Sequence, residues 1–114
     1  LITKFNERTP LFDETSSRYR TAALEALHAA DPTVTLLEIN TGAMSRGYRR
    51  TPYPALFLLE EWRRMGGGII LTADAHSASA IVYGYTQAAE LARAAGFTRS
   101  VVLAAGGAAE RSLP

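Results

Sequence analysis

The sequence contains no cysteine, only two histidines and no long hydrophobic run. Without cysteine the chain can form neither disulfides nor thiolate metal sites, so any metal must be held by histidine, carboxylate or backbone oxygen. A membrane-spanning helix needs about 18 or more consecutive apolar residues, and no stretch here approaches that length. No signal peptide is visible, so a cytoplasmic location is the default expectation.

The chain also lacks a marked excess of charge of one sign, since its formal net charge is +1 over 114 residues. This balance gives no reason to expect binding to nucleic acid or to an anionic membrane. Hydrophobic residues make up 47% of the chain and charged residues 20%, which is typical of a globular domain. We therefore expect a single domain over residues 1–114.

Helix-like and strand-like patterns alternate along the chain. Helices are predicted over about residues 13–30, with Asp13 as N-cap, and over 55–65 and 82–95. Strands are predicted over 33–40, 69–73 and 100–105, and the opening "LITKFN" looks like the end of another strand. This order predicts an α/β fold with a parallel sheet covered by helices. Four strands are too few to close a barrel, so an open sheet and an incomplete barrel both remain, and exposed sheet edges would favour a homodimer.

Polar residues lie at the carboxyl end of the strand predicted over residues 33–40. Glu38 and Asn40 are two positions apart, so they share a strand face. A carboxylate is costly to bury unless it is paired or coordinated. Glu38 is therefore expected either to accept hydrogen bonds from backbone amides or a loop arginine, or to line a site together with Asn40.

The next strand is followed by Asp74 and His76, in the stretch "ILTADAHSASAI". Carboxylate oxygen and imidazole nitrogen are both common metal ligands, and the carboxyl ends of strands are where α/β proteins build their sites. The small residues of "SASA" would let a ligand approach the backbone. The alternative is that Asp74 caps a helix and His76 is a surface histidine.

The loop between the strand predicted over 33–40 and the helix predicted over 55–65 carries three arginines, Arg46, Arg49 and Arg50. Guanidinium groups suit phosphate oxygens, so this loop would fit a small phosphorylated substrate beside a metal. The alternative is a solvated basic loop. His28 differs, because it lies at the C-terminal end of a predicted helix, where a positive charge is favourable, and we expect a structural role for it.

Two segments, "LEINTGAMSRGYRRTPYP" and "GGIILTADAHSASAIVYGYTQAAELARAAGF", resemble the C-terminal part of histidinol-phosphatases of the polymerase-and-histidinol-phosphatase (PHP) superfamily. The motif "DAH" is typical of the whole superfamily, whereas "EINTG…R…TPYP" is more specific to the histidinol-phosphatase branch. The resemblance extends over residues 1–97. It implies a distorted barrel of seven βα units, of which this chain would hold only the C-terminal part.

The resemblance also implies an activity, the hydrolysis of L-histidinol phosphate in histidine biosynthesis. The family uses divalent metal ions (zinc, manganese or iron), usually in a cluster of three. Asp74 and His76 match the last metal-binding motif, and each is expected to ligate a different ion. Arg46 lies where the family places basic residues near the phosphate, with Arg49 and Arg50 as competitors.

The chain departs from the family in its remaining ligands. The N-terminal His-x-His, a glutamate and further histidines have no counterpart here. We therefore expect the N-terminal half of the barrel to be missing and the chain to be inactive by itself. Two alternatives stay open, namely another PHP phosphoesterase acting on a nucleotide, sugar phosphate or phosphotyrosine, and a non-catalytic α/β assembly module.

Overall fold

Three parallel strands run side by side in the computed structural model, which describes residues 3–114. They are β1 (Leu36–Asn40), β2 (Gly68–Thr72) and β3 (Arg99–Ala104). A fourth strand, β4 (Gly107–Ser112), pairs antiparallel with β3, so the sheet order is β1-β2-β3-β4. The predicted α/β fold with a mainly parallel sheet is confirmed.

Four α-helices lie between the strands or precede them: α1 (Ser17–His28), α2 (Gly42–Ser45), α3 (Leu56–Arg64) and α4 (Tyr85–Ala94). A short 3-10 turn (Ala78–Ala80) precedes α4. Within the described residues, none of these helices is both long and apolar enough to cross a bilayer.

The observed start of α1 differs from the predicted one, which had Asp13 as N-cap. Its N-cap is Ser16 rather than Asp13, because the Ser16 hydroxyl accepts a hydrogen bond from the Tyr19 backbone N–H. Asp13 forms a local turn instead, accepting from the Thr15 backbone N–H at 2.8 Å. Asp13 and Ser16 are both favoured N-cap residues, so composition alone does not choose between them.

The two ends of the chain also differ from the prediction. Residues 3–8 form turns rather than a strand, and Leu1 and Ile2 lie outside the described residues. Asn6 is buried and shapes this segment, since its Oδ1 accepts from the backbone N–H groups of Leu11 and Phe12. No strand is predicted after residue 105, but residues 107–112 form strand β4, through pairing with β3 and not through strand propensity of "GAAERS".

The hydrophobic core lies between α3, α4 and one face of the sheet. Ile39 of β1 and Ile69 of β2 point into it and meet α3 through Leu59 and Trp62. The core is completed on α4 and just beyond it by small residues, Ala88, Ala92 and Ala95. Alternate strand residues point to the opposite face, where Leu36 and Glu38 are exposed. The helices therefore cover one face of the sheet.

The glycine run after α3 fastens that helix to β2. Trp62 donates from Nε1 to the Gly68 carbonyl at 2.8 Å. The backbone of Gly67 packs directly on the indole ring, because a Cβ built at Gly67 would lie 2.2 Å from Trp62 Cε2. Gly66 takes φ +85° and ends the helix.

Helix α1 is attached to α3 by a charged contact. His28 Nε2 lies 2.5 Å from Glu61 Oε1, and Arg64 Nε donates to Glu61 Oε2 at 2.7 Å. These hydrogen bonds, with that of Arg64 the larger, lower the pKa of Glu61 from 4.5 to about 2. His28 thus stands at the end of α1 in a structural contact.

The packing of Gly67 on Trp62 predicts the effect of one added methyl group. Gly67→Ala should lower the free energy of unfolding by about 1–3 kcal/mol, because the methyl group has no space beside the indole. Gly106→Ala is the matched control, since a Cβ there meets nothing within 4 Å. That variant should change the free energy by less than about 1 kcal/mol. Equal effects of the two substitutions in urea denaturation would contradict the packing.

The lowered pKa of Glu61 predicts a pH-dependent contribution to stability. The charged form is favoured by folding, so its contribution is fully present above pH 4.5 and is lost as the pH falls towards 2. The difference in unfolding free energy between the native chain and Glu61→Gln should therefore be largest near neutral pH and close by pH 2. Glu60→Gln, on the exposed side of α3, should show no such trend. A pH-independent difference for Glu61→Gln would argue against this contact.

Candidate functional site

The parallel pairing of β1 and β2 brings the segments that follow them together. The paired residues run from Leu36 and Gly68 to Asn40 and Thr72, so both strands end at the same edge. Thr41, the next residue, is fully buried and donates its backbone N–H to the Thr72 carbonyl at 3.0 Å. Residues 41–46 are thereby held beside residues 73–76.

Arg46 joins the two segments and contacts both predicted metal ligands. Its Nη2 donates to Asp74 Oδ2 at 2.8 Å, and its Nη1 donates to the Asp74 carbonyl at 3.0 Å. The same Nη1 lies 3.2 Å from His76 Nδ1. The hydrogen bond from Arg46 is the main cause that holds the pKa of Asp74 below its ordinary value, so this side chain is a carboxylate at neutral pH.

The orientation of His76 leaves one ring nitrogen available. Nδ1 lies 2.7 Å from the Asp74 carbonyl oxygen. When Nδ1 carries the proton it donates to that carbonyl, and Nε2 keeps the lone pair that a metal requires. A backbone carbonyl that accepts from the other ring nitrogen is the usual support of a metal-binding histidine. The imidazole is therefore suited to coordination through Nε2.

The backbone around Asp74 is unusual. Asp74 has φ +46°, a left-handed conformation that aspartate tolerates better than most residues. Gly42 allows the close approach, because a Cβ there would lie 2.8 Å from Ala73 O, Arg46 Nη2 and Asp74 Cβ. Asp74 does not cap a helix, since the N-cap of the following 3-10 turn is Ser77.

Glu38 and Asn40 take different roles at the end of β1. Glu38 is exposed, contrary to the expectation of a buried carboxylate, and it accepts a hydrogen bond from the Thr72 hydroxyl rather than from a backbone amide or an arginine. Asn40 is buried, and its Oδ1 accepts from the Gly42 backbone N–H at 2.8 Å. Its backbone also pairs with Tyr53. Asn40 thus shapes the loop, while Glu38 lies on the exposed sheet face.

Arg49 lies away from this cluster and fastens the N-terminal segment. Its side chain is only 12% exposed, and Nη1 donates to Glu14 Oε1 at 2.9 Å and to the Thr3 carbonyl at 2.5 Å. Burial raises the pKa of Glu14, but hydrogen bonds from Arg49 and Asn6 bring it below its ordinary value. The pair therefore holds residues 3–14 against the arginine-containing loop.

Arg50 is the most accessible of the three arginines. Its side chain is 94% exposed, and its Nε lies 3.5 Å from Glu7 Oε1. Within residues 3–114, Arg46 alone of the three has a polar contact with Asp74 or His76.

A cavity of about 390 Å³ adjoins the cluster. Arg46 and His76 form part of its wall, and most of the other lining residues carry hydroxyl groups: Ser45, Ser77, Ser79 and Tyr83. A cavity lined by a guanidinium and by hydroxyl groups is suited to an anion such as phosphate.

The donor chemistry of this edge fits a divalent metal, but the described residues hold only part of a ligand set. A carboxylate and an imidazole are ordinary ligands for zinc, manganese or iron. Among residues 3–114 no group of three or more histidine, aspartate and glutamate side chains is arranged to hold an ion. Further ligands would have to come from outside this part of the chain.

Comparison with known proteins adds no assignment. No protein-family model matches the chain, and the search of curated proteins gives no significant match.

The contrast between Arg49 and Arg50 predicts different effects on stability. Arg49→Ala should lower the free energy of unfolding by about 1–3 kcal/mol, because it leaves a half-buried Glu14 without its positively charged partner. Arg50→Ala removes the same charge from an exposed position and should stay within about 0.5 kcal/mol. Chemical denaturation of both variants measures the difference. A cost for Arg50→Ala as large as that for Arg49→Ala would show that the loop is held in another way.

Proposed function

We propose that this chain is the C-terminal part of a PHP-type histidinol-phosphatase, which hydrolyses L-histidinol phosphate to L-histidinol and phosphate. The observation that carries the proposal is the contact of Arg46 with Asp74 and His76 at the carboxyl end of a parallel strand. Two side chains of metal-ligand type and one of phosphate-binding type thus meet at a single edge of the sheet.

The one-sided covering of the sheet supports the barrel part of the proposal. In a βα barrel the helices lie outside, the opposite face of the sheet points inward, and the site lies at the carboxyl ends of the strands. Here the helices pack on the face of Ile39 and Ile69, and the other face carries Glu38 and Thr72 towards the site edge. We propose that the remaining βα units of a distorted seven-unit barrel belong to an N-terminal part of the protein.

Asp74 would hold a divalent ion through its carboxylate, and His76 would do so through Nε2. When bound, such ions lower the pKa of a coordinated water and polarise phosphoryl oxygens. The remaining ligands of the usual three-ion cluster would come from the N-terminal part.

Of the three arginines, Arg46 is the best placed to bind the phosphate. It borders the hydroxyl-lined cavity beside Asp74 and His76, whereas Arg49 is bound to Glu14 and Arg50 lies near Glu7. Its N–H groups would donate to phosphoryl oxygens and stabilise the charge that develops on them in the transition state. Arg49 would contribute indirectly, by holding the loop that carries Arg46.

The direct test is phosphate release from L-histidinol phosphate by the full-length protein supplied with Mn²⁺ or Zn²⁺. We expect turnover that falls at least about 100-fold in Asp74→Asn, since even residues that only support a ligand cost 10- to 100-fold. Glu90→Gln, an exposed change on α4, should leave turnover unchanged.

A panel containing a nucleotide, a sugar phosphate and phosphotyrosine defines the substrate. Preference for one of these over L-histidinol phosphate would keep the superfamily and discard the proposed substrate. Absence of turnover on every substrate would discard the phosphatase. Full activity and full metal content in Asp74→Asn would discard the ligand assignment.

A further inference from the structure

Arg46 contacts both side chains that the proposed function assigns to divalent ions. Its Nη2 lies 2.8 Å from Asp74 Oδ2, and its Nη1 lies 3.2 Å from His76 Nδ1. The guanidinium thus neutralises the carboxylate and stands beside the imidazole. A divalent ion on the same carboxylate would approach to about 2.0–2.2 Å, and it would be repelled by a guanidinium that remained there.

The pair is open to exchange. The side chain of Asp74 is 43% exposed and that of Arg46 is 25% exposed, so water can solvate both partners as they separate. The backbone around them is held independently of this ion pair. The Thr41 backbone N–H donates to the Thr72 carbonyl, and Asn40 Oδ1 accepts from the Gly42 backbone N–H. These buried hydrogen bonds hold the loop.

The neighbouring cavity offers a second position for the guanidinium. It is lined by Arg46 itself with Ser45, Ser77 and Ser79, whose hydroxyl oxygens can accept its N–H groups. This is also the cavity suited to a phosphate, so an Arg46 that leaves Asp74 turns towards the place where substrate would bind.

We infer that Arg46 has two alternative partners: in the metal-free protein it binds the Asp74 carboxylate, and when a divalent ion binds Asp74 it turns towards the substrate phosphate. The inference rests on the proposed function in one respect, namely that Asp74 and His76 are metal ligands. It adds an order of events, in which metal binding precedes and promotes anion binding by the same arginine.

The test is a titration of the ¹⁵N-labelled full-length protein with Mn²⁺, followed by paramagnetic broadening of the backbone amide signals of residues 74–76. This readout detects weak binding and needs no catalytic activity. Arg46→Gln should shift the midpoint to a concentration about three- to fivefold lower, the upper range for removal of a competing exposed ion pair. Arg50→Gln removes the same charge from the same loop without contacting Asp74, and it should shift the midpoint less than about twofold.

A second variant guards against a local change of fold. Arg46→Lys keeps the positive charge but loses the two-pronged contact with Asp74, and its midpoint should lie between those of the native chain and Arg46→Gln. Unshifted amide signals of β1 and α4 would show that each variant keeps the native fold.

The possible outcomes separate the inference from the function on which it rests. Equal midpoints for Arg46→Gln and Arg50→Gln would overturn the inference, and so would weaker Mn²⁺ binding in Arg46→Gln, which would make Arg46 a support of the ligand. Both results leave Asp74 and His76 as metal ligands. Broadening that is absent from residues 74–76, or that is unchanged in Asp74→Asn, would remove the metal site itself and with it both proposals.

Discussion

The candidate site depends on the parallel register of β1 and β2. Their five paired positions end together at Asn40 and Thr72, and this places Arg46 within reach of Asp74. A slip of one residue would turn the side chains of a strand to the other face of the sheet. Such a slip would take Ile39 or Ile69 out of the core around Trp62, so hydrophobic burial fixes the register and the register positions the site.

The forces that hold the site are weaker than those that hold the sheet. Truncation of a buried tryptophan such as Trp62 costs about 3–5 kcal/mol, whereas an exposed ion pair contributes about 0–1 kcal/mol. The ion pair of Arg46 with Asp74 is of the second kind. Packing of the core therefore fixes the backbone geometry at the strand ends. The polar side chains there can change partners without loss of the fold. A site that binds and releases a ligand requires side chains that can change partners in this way.

The central elements could be predicted from the sequence because local patterns determine them. The apolar runs of β1, β2 and β3, the amphipathic spacing of α3 and α4 and the glycines after α3 each act over a few residues. The position of Asp74 and His76 just beyond β2 followed from the same patterns. The contact of Arg46 with Asp74 could not be predicted, since it joins residues 28 positions apart through the pairing of two strands.

The wrong predictions share that physical origin. Strand β4 forms on the template of β3 and has little strand propensity of its own, so no local signal marks it. Glu38 was expected to be buried because it lies inside a strand, but the helices cover only the other face. The contacts of Arg49 and Arg50 had no local signal either, because their partners lie in the N-terminal turns, more than 30 residues away along the chain; their predicted role in phosphate binding stays a prediction.

Crystal structures of the full-length protein grown without metal and with Mn²⁺ measure most directly whether Arg46 and a divalent ion exchange on Asp74. Without metal, Nη2 of Arg46 should lie within hydrogen-bond distance of Asp74 Oδ2, as it does here at 2.8 Å. With Mn²⁺, an ion should lie on Asp74 or His76, and the guanidinium should have turned into the hydroxyl-lined cavity. An ion bound away from both residues, or an arginine that keeps its contact with Asp74 Oδ2 beside a bound ion, would contradict this account.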